Sequence, residues 1–328
     1  MTNGAKLVRA AGIDCGTNSI RLLIADVDLA AGRLVEVVRL MEVVRLGQGV
    51  DRTRCFAQPA LERTLVQVRR FGQLCRRHQV GPVRFVATSA TRDAANRGVF
   101  IDAVRSELGV EPEVIDGIEE ARLAFVGALS ALDSALPGPV TCVDLGGGST
   151  ELVLGHTQPE QAYSMNVGCV RLTERHFRSN PPTEAELAAA VADVEAALDR
   201  AAEVVDLGRT RTLVGLAGSI TTITAQALGL DHYNPALIDG AVLPVPAVLA
   251  ACDFFSRAAL AERAALGFMH PGRVAVIGGG AVVWARVVTR VRDAVTRQGG
   301  NLTSVVTSEH DMLDGITLTA AGLAPLAQ

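Results

Sequence analysis

The feature that most constrains the fold of this 328-residue chain is a short turn sequence that occurs twice. Residues 13–19 read Ile-Asp-Cys-Gly-Thr-Asn-Ser, and residues 143–150 read Val-Asp-Leu-Gly-Gly-Gly-Ser-Thr. Both contain an apolar residue followed by Asp-x-Gly-x-x-Ser, and their aspartates, Asp14 and Asp144, lie 130 positions apart. Because solenoid units recur roughly every 20–50 residues, this much longer period indicates a duplicated domain.

The segments around each turn predict a similar order of secondary structure. Apolar runs rich in Val, Ile and Leu predict strands at 8–14, 20–28, 34–45, 83–88 and 110–115, and again at 140–144, 151–155, 162–167 and 212–216. Helical spacing of apolar residues predicts helices at about 59–79, 94–108, 118–136, 183–205, 219–228, 245–266 and 309–320. The stretch between the last two helices is hard to assign, and its Ile277-Gly-Gly-Gly segment fits either a loop or a close approach of helices.

This alternation predicts an α/β chain of two related domains, each a mixed sheet flanked by helices. The first predicted domain covers residues 1–130 and the second covers 131–308. The final helix, at about 309–325, is expected to pack back on the first domain. With 49% apolar residues, the chain can form a large core in each domain.

The composition excludes several classes of function. A net charge of −4 argues against a general nucleic-acid coat, since such binding depends on clustered positive charge. Lys6 is the only lysine, which excludes a Walker-type phosphate loop and lysine Schiff-base chemistry in the body of the protein. The six cysteines form no C-x-x-C pair, and no apolar stretch is long enough to span a bilayer. We therefore expect a cytosolic protein with reduced thiols and with no nucleic-acid or membrane partner.

The repeated turn has the composition of a phosphate-binding loop. Glycine lets successive backbone amides approach one anion, and serine and threonine hydroxyls add donors. Each turn is predicted to join two strands rather than to open a helix, so it is neither a Rossmann nor a Walker turn. The aspartate fits a divalent cation that accompanies the phosphates, because Mg²⁺ is usually held by one or two carboxylates plus phosphate oxygens. The alternative is a pair of glycine-rich hairpins in which aspartate is only a turn former.

Two such turns on two related domains resemble the actin-like ATPase and sugar kinase superfamily, whose ribonuclease H-like domains bind phosphates in the cleft between them. Within this superfamily, the chain resembles the exopolyphosphatase/guanosine pentaphosphate phosphatase family in its short two-domain form. The resemblance extends along nearly the whole chain. It rests on six segments in the family's order, at 13–22, 87–92, 117–123, 143–152, 166–172 and 215–222.

The resemblance implies a Mg²⁺-dependent phosphohydrolase. It identifies Glu120 as the catalytic carboxylate and places Asp144 and Glu151 at a Mg²⁺ site, where Mn²⁺ can substitute; Asp14 is the third predicted metal-site residue. Substrate phosphates are expected to bind hydroxyl, amide and guanidinium groups from the two turns and from two helix starts. These substrate-binding residues are Thr17, Asn18, Ser19, Arg92, Gly146, Gly147, Gly148, Ser149, Thr150, Gly218 and Ser219.

The residues around Glu120 indicate a division of labour. Asp116 is suited to cap the helix that begins at Gly117, and Glu119 would then stand where it can reach back in a capping box. Glu120 would point elsewhere on the helix and act as a general base toward water. The alternative is that both glutamates only complement the helix dipole. For Arg92, the alternative is a solvated surface arginine.

The predicted reaction is release of the terminal phosphate from short-chain inorganic polyphosphate, from guanosine pentaphosphate, or from both, in the cleft between the domains. The expected preference for short chains rests on the few cations in the sequence from Glu309 onward. A homodimer is expected from base rates and from the resemblance. Two other functions remain open: a superfamily kinase that acts on a small metabolite, and a non-catalytic nucleotide sensor or filament-forming scaffold.

Overall fold

The structure is a computed structural model that describes residues 7–132 and 136–323. The described chain forms two compact units. One contains residues 7–131 and 311–323, and the other contains the described residues from 132 to 310. Among the described helices, none combines the length and the apolar character needed to cross a membrane.

The first unit is built on a five-stranded mixed sheet. Its strands are β1 (Leu7–Cys15), β2 (Ser19–Asp28), β3 (Arg33–Val43), β4 (Val83–Ala87) and β5 (Glu113–Val114), in the spatial order β3-β2-β1-β4-β5. β1 pairs antiparallel with β2 and parallel with β4. The helices are α1 (Val50–Thr53), α2 (Gln58–Arg77), α3 (Ser89–Asp93), α4 (Arg97–Leu108) and α5 (Gly117–Ala131). The helix Met312–Ala320 also belongs to this unit and packs on α5 and β1.

The second unit is built on a six-stranded mixed sheet. Its strands are β6 (Val140–Leu145), β7 (Thr150–Gly155), β8 (Pro159–Met165), β9 (Thr212–Leu216), β10 (Val242–Pro244) and β11 (Ser304–Thr307), in the order β10-β11-β9-β6-β7-β8. Its helices are α6 (Cys169–His176), α7 (Glu184–Ala202), α8 (Ala217–Ala227), α9 (Pro235–Ile238), α10 (Val245–Arg257), α11 (Leu260–Ala264) and α12 (Ile277–Arg297). Met312–Ala320 is therefore α13.

The two sheets share a common core arrangement. Each contains three antiparallel strands joined by hairpins, followed by a strand parallel to the first: β4 beside β1 in one sheet and β9 beside β6 in the other. β6 is buried along its whole length, as expected for a central strand covered on both faces. The predicted α/β class, with two mixed sheets flanked by helices, is confirmed.

Side-chain caps fix where several helices begin. Asp116 Oδ1 accepts hydrogen bonds from the amides of Ile118 and Glu119 at 3.0 and 2.9 Å, which starts α5 as predicted. Glu119 does not complete the expected capping box. Its Oε1 instead lies 3.4 Å from Nη2 of Arg84 on β4, so a long-range charge pair takes the place of the local contact.

The helices predicted at 245–266 and 309–320 have different bounds in the structure. The single helix predicted at 245–266 is broken near Ala258, because Glu262 accepts from the amide of Ala259 and Asn180 accepts from the amide of Leu260. These acceptors satisfy the start of a new helix, and the second comes from a distant part of the chain. The last helix begins at Met312 rather than near 309, since Asp311 caps it through the amide of Leu313.

The glycines at 278–280 lie inside α12, which selects the close-approach alternative over a loop. A Cβ added at Gly279 would lie 2.7 Å from the carbonyl oxygen of Cys169, and one added at Gly280 would lie 2.7 Å from Ser219 Oγ. The small residues thus let α12 touch α6 and α8.

Glycines also set the packing of α13 on α5. A Cβ at Gly127 would lie 1.8 Å from the carbonyl oxygen of Asp311, and one at Gly315 would lie 2.1 Å from that of Leu123. Both distances are far below van der Waals contact, and the opposing atoms are backbone. The two helices can therefore approach this closely only without side chains at these positions.

We expect Gly127→Ala to lower the free energy of unfolding by about 2 kcal/mol or more, because the added methyl group forces two helix backbones apart. Gly98→Ala in α4 is the matched control, since a Cβ there meets nothing within 4 Å. That change should be neutral or stabilising by up to about 1 kcal/mol, through helix propensity. Urea unfolding of both variants tests this. Equal stability of Gly127→Ala and the wild type would contradict the packing described.

Candidate active site

The first turn lies between β1 and β2. The Gly16 amide donates to the Ser19 carbonyl oxygen at 3.0 Å, and the strand pairing that follows puts Asp14 directly opposite Arg21. Arg21 Nη2 lies 2.7 Å from Asp14 Oδ2, and its Nη1 contacts Asp311 at the start of α13. Both carboxylates are buried. One guanidinium therefore joins the first turn to the terminal helix.

Asp14 is held through one oxygen only. In the part of the chain that the structure describes, its buried Oδ1 has no hydrogen-bond partner. Burial raises the pKa of Asp14 above its usual range, although Arg21 acts in the opposite direction. The unpartnered oxygen leaves room for one further donor or cation.

The backbone of the first turn is anchored through its carbonyl groups. The Thr17 carbonyl oxygen accepts from the amide of Gly47, and that of Asn18 accepts from Val44 and Arg45. Thr17 Oγ1 lies 2.9 Å from the hydroxyl of Ser89 in α3, and both are buried. The amides of Thr17 and Asn18 donate to no other described residue, so they remain available to a ligand.

Glu120 lies in the first turn of α5 and is 6% exposed. Arg92 Nη1 donates to Glu120 Oε2 and to the carbonyl oxygen of Ile115, both at 2.8 Å. Burial raises the pKa of Glu120 to about 7, while Arg92 acts to lower it and Asp14 to raise it. A carboxyl group that is fixed in orientation and titrates near neutral pH has the properties of a general base.

Arg92 is placed differently from the sequence prediction. It is the fourth of the five residues of α3 rather than the first residue of a helix, and it contacts Glu120. Its role toward Glu120 is therefore orientation, and its predicted contact with phosphate remains a prediction.

The second turn lies between β6 and β7. The Gly146 amide donates to the Ser149 carbonyl oxygen at 3.0 Å, and the pairing that follows puts Asp144 directly opposite Glu151. Both carboxylates are buried, and Ser164 of β8 donates its hydroxyl to Glu151 Oε1 at 2.7 Å. The position that carries arginine in the first turn thus carries a second carboxylate here.

The backbone of the second turn is also anchored through its carbonyl groups, which accept hydrogen bonds from α6. The oxygen of Gly146 accepts from the first amide of α6, and that of Gly147 accepts from the next two. A Cβ at Gly168 would lie 2.6 Å from the Gly147 carbonyl oxygen, so glycine is required where α6 meets the turn. The amides of Gly147 and Gly148 donate to no other described residue, which leaves them for a ligand. The Gly146 amide is not available to a ligand, because it donates to the Ser149 carbonyl oxygen within the turn.

The two hydroxyl groups of the second turn differ. Thr150 Oγ1 donates to the carbonyl oxygen of Val167 at 2.7 Å and is buried. The Ser149 hydroxyl makes no hydrogen bond to another described residue. Ser149 is therefore the better placed of the two to bind phosphate through its side chain.

Gly218 and Ser219 lie in the first turn of α8, directly after β9, as the sequence predicted. Ala217 at this junction has a φ of 68°, which is strained for a residue with a Cβ. Arg273 lies against Gly218, where an added Cβ would come 2.2 Å from its Nη2, and its Nη1 donates to Thr222 Oγ1 at 3.0 Å. A guanidinium is thus held beside a helix N-terminus, a natural anion site.

The donors of the second turn suit Mg²⁺ in part. Asp144 and Glu151 are adjacent hard oxygen ligands, but within the described residues no group of three or more His, Cys, Asp or Glu side chains could hold a metal. The protein would supply one or two oxygens, with phosphate and water completing the shell, as Mg²⁺ commonly requires. Asp14 lies on the first turn beside Arg21, and its place at the metal stays a prediction.

The sequence analysis did not predict several residues that contact the site residues within each unit. Arg21 could have been found, because counting outward from a hairpin turn at 16–19 puts it opposite Asp14. Ser89, Asp311 and Arg273 come from distant parts of the sequence, and no local pattern connects them to the turns. Only tertiary packing reveals their contacts.

The raised pKa of Glu120 predicts a pH-dependent stability effect. In the folded state the carboxyl binds a proton up to about pH 7, above the ordinary value of 4.5, so this group's contribution to stability falls as pH rises through that window. The wild type should therefore lose about 2 kcal/mol of unfolding free energy between pH 5 and pH 8 that Glu120→Gln does not lose. Chemical denaturation at both pH values measures this. Glu119→Gln, on the same helix turn, controls for loss of a charge at the helix start. If the difference in unfolding free energy between Glu120→Gln and the wild type were the same at both pH values, the burial effect would be contradicted.

Comparison with known proteins gives a consistent result. The model of the Ppx/GppA phosphatase family matches residues 23–314. Exopolyphosphatase 2 of Mycobacterium tuberculosis is 46% identical over 323 residues, covering 96% of this chain and 99% of that protein. The guanosine-5'-triphosphate,3'-diphosphate pyrophosphatase of Aeromonas salmonicida is 33% identical over 214 residues, covering 65% of this chain and 42% of that protein.

A solved structure supports the same assignment. The crystal structure of an exopolyphosphatase-like protein matches with a TM-score of 0.93 and 50% identity, covering 96% of this chain and 98% of that one. The family resemblance found in the sequence is confirmed, and the chain belongs to the Ppx/GppA phosphatase family.

Proposed function

We propose that this protein hydrolyses the terminal phosphoanhydride bond of inorganic polyphosphate, with Glu120 as the general base. The observation that carries the proposal is the environment of Glu120: a buried carboxyl group with a pKa of about 7, oriented by Arg92 at 2.8 Å. Guanosine pentaphosphate is the second substrate to test. The polyphosphate substrate is favoured because the relative named exopolyphosphatase matches over 96% of this chain, against 65% for the guanosine relative.

In the proposed step, a water molecule attacks the terminal phosphorus atom while Glu120 accepts the proton that it loses. The bridging P–O bond breaks, and the shortened chain leaves with the bridging oxygen. Little covalent chemistry is needed from the protein, since positioning and charge neutralisation supply most of the rate. Arg92 keeps the Glu120 carboxylate in one orientation toward the water.

The backbone groups that remain available fit this chemistry. The amides of Gly147 and Gly148 donate to no other described residue and would bind phosphate oxygens, together with the Ser149 hydroxyl. Asp144 and Glu151 would hold Mg²⁺, or Mn²⁺ in its place, which neutralises phosphate charge when bound. Thr17, Asn18 and Ser19 are proposed to bind phosphate through the first turn.

The cellular setting is also a proposal. The six cysteines are free in the structure, and burial raises the pKa of several of their thiols, among them Cys142 and Cys252. Thiols of this kind suit a reducing compartment, so we propose a cytoplasmic protein. A homodimer remains the expectation from base rates.

The change Glu120→Gln keeps the size and helix propensity of the side chain but removes the base. We expect kcat to fall by roughly 10²–10⁴-fold with little change in KM, the usual range for a lost general base. In the wild type, kcat/KM should rise with pH and level off above about 7, as Glu120 loses its proton. Phosphate release measured from pH 5 to 9 tests both statements, with Glu119→Gln as the control. Near-normal kcat in Glu120→Gln would falsify the role of this residue.

A substrate series tests the proposal as a whole. With Mg²⁺ present, phosphate should be released from short polyphosphate, and guanosine pentaphosphate is tested in the same way. Excess chelator should abolish the release. Asp144→Asn and Glu151→Gln should each raise the Mg²⁺ concentration for half-maximal activity at least about tenfold, whereas Glu160→Gln on the exposed part of β8 should not. A comparison of short and long chains tests the expected length preference. Full turnover in chelator would remove the metal from the proposal, and no release from any of these substrates would overturn it.

A further inference from the structure

Arg263 is a buried cation outside the site described above. It lies on α11, is 2% exposed, and two of its nitrogen atoms, Nε and Nη2, have no hydrogen-bond partner among the described residues. Its third nitrogen, Nη1, lies 3.4 Å from the carbonyl oxygen of Val274, a long contact. Buried donors of a charged group are costly to leave without acceptors.

The charge of Arg263 is poorly compensated within the described chain. Glu262 is the one charged group that raises the pKa of this guanidinium, and burial outweighs it and lowers the pKa. Glu262 also has another role, because its Oε2 accepts from the Ala259 amide at 2.7 Å to start α11. A buried cation in this position therefore calls for an anion that the described residues do not supply.

The guanidinium is directed at the N-terminus of α12. A Cβ built on Gly278, the second residue of this 21-residue helix, would lie 2.6 Å from Arg263 Nη2 and 3.0 Å from its Cζ. Since Cα–Cβ bonds in a helix tilt toward its N-terminus, the guanidinium occupies the space at the amino end of α12. The guanidinium can lie there because Gly278 has no side chain.

Two backbone amides of the same helix turn have no acceptor among the described residues. Ile277 donates to the Arg273 carbonyl oxygen and Gly280 donates to that of Val276, but Gly278 and Gly279 donate to no other described residue. Both glycines are buried. The amino end of a helix also carries partial positive charge, so a cation and two free amides meet at one place.

We propose that Arg263 and the first turn of α12 form a binding site for a small inorganic anion, such as a halide or phosphate. Four donors, Nε and Nη2 of Arg263 and the amides of Gly278 and Gly279, would share the ion. A water molecule fits less well, because it must find acceptors for its own two protons. The ion also neutralises the buried charge, which water cannot do.

This site is separate from the predicted phosphate-binding residues of the second unit. Gly280 faces Ser219, while Gly278 faces Arg263. The two glycines are two positions apart in the helix, or about 200° around its axis. The anion would therefore lie on the opposite side of α12 from Ser219 and support the helix that packs against α8.

Anomalous diffraction tests the site in the unmodified protein. Crystals are soaked in bromide, and others in arsenate as a mimic of phosphate. An anomalous peak within about 3.5 Å of Arg263 Nη2 and the Gly278 amide supports the proposal. The soak that gives the peak shows whether the site binds a halide or an oxyanion. No peak there in either soak, with bromide visible elsewhere on the surface, would overturn it.

Thermal unfolding shows whether the ion binds in solution. At constant ionic strength, gluconate is replaced stepwise by bromide or by phosphate. At ion concentrations above the dissociation constant, the wild-type Tm should rise by about 3 °C for each tenfold increase in the concentration of the ion that binds. Arg263→Met should lose this dependence, whereas Arg257→Met, which removes an exposed arginine of α10, should keep it. Equal ion dependence in the wild type and in Arg263→Met would overturn the proposal. A wild-type Tm that does not change with ion concentration would also overturn it, because any diffraction peak would then reflect binding at crystal concentration only.

Discussion

The candidate site residues in each unit depend on one constraint, the register of an antiparallel hairpin. In each unit, a glycine amide donates to a serine carbonyl oxygen three residues later at 3.0 Å, and the strands pair outward from that bond. The register decides which side chain stands opposite the aspartate: Arg21 in the first unit and Glu151 in the second. A shift by one residue would turn these side chains to the other face of the sheet.

This constraint gives two related turns different electrostatic properties. At the first turn, Arg21 neutralises Asp14 and extends to Asp311, so the turn and α13 are joined by charge as well as by packing. At the second turn, two carboxylates lie side by side. In the first unit the turn therefore lies near Glu120, the proposed base, whereas the turn of the second unit carries the carboxylates that suit a cation.

Burial then determines the chemistry of Glu120. The residue lies close to a charged network, yet desolvation is the largest influence on its pKa and raises it to about 7. Arg92 limits this rise and fixes the orientation of the carboxylate. The same low-polarity surroundings that cost stability at high pH thus provide a group that can accept a proton near neutral pH. Close helix packing through Gly127 and Gly315 keeps α5, the helix that carries Glu120, against α13.

The sequence by itself determined the fold class, the duplicated turns and the family, because these depend on local patterns of apolar residues and glycine that survive without tertiary context. It also predicted Asp116 as the cap of α5, which the structure confirms, while the catalytic role of Glu120 stays a prediction. The tertiary structure alone decided that Arg92 contacts Glu120, that Arg21 and Asp311 bind each other, and that Gly278–Gly280 are helical. The two side-chain contacts join residues far apart in the chain, as with the 290 positions between Arg21 and Asp311, and the glycine helix packs against distant helices. Sequence spacing carries no information about such pairs, whereas burial and charge pairing in the folded chain determine them.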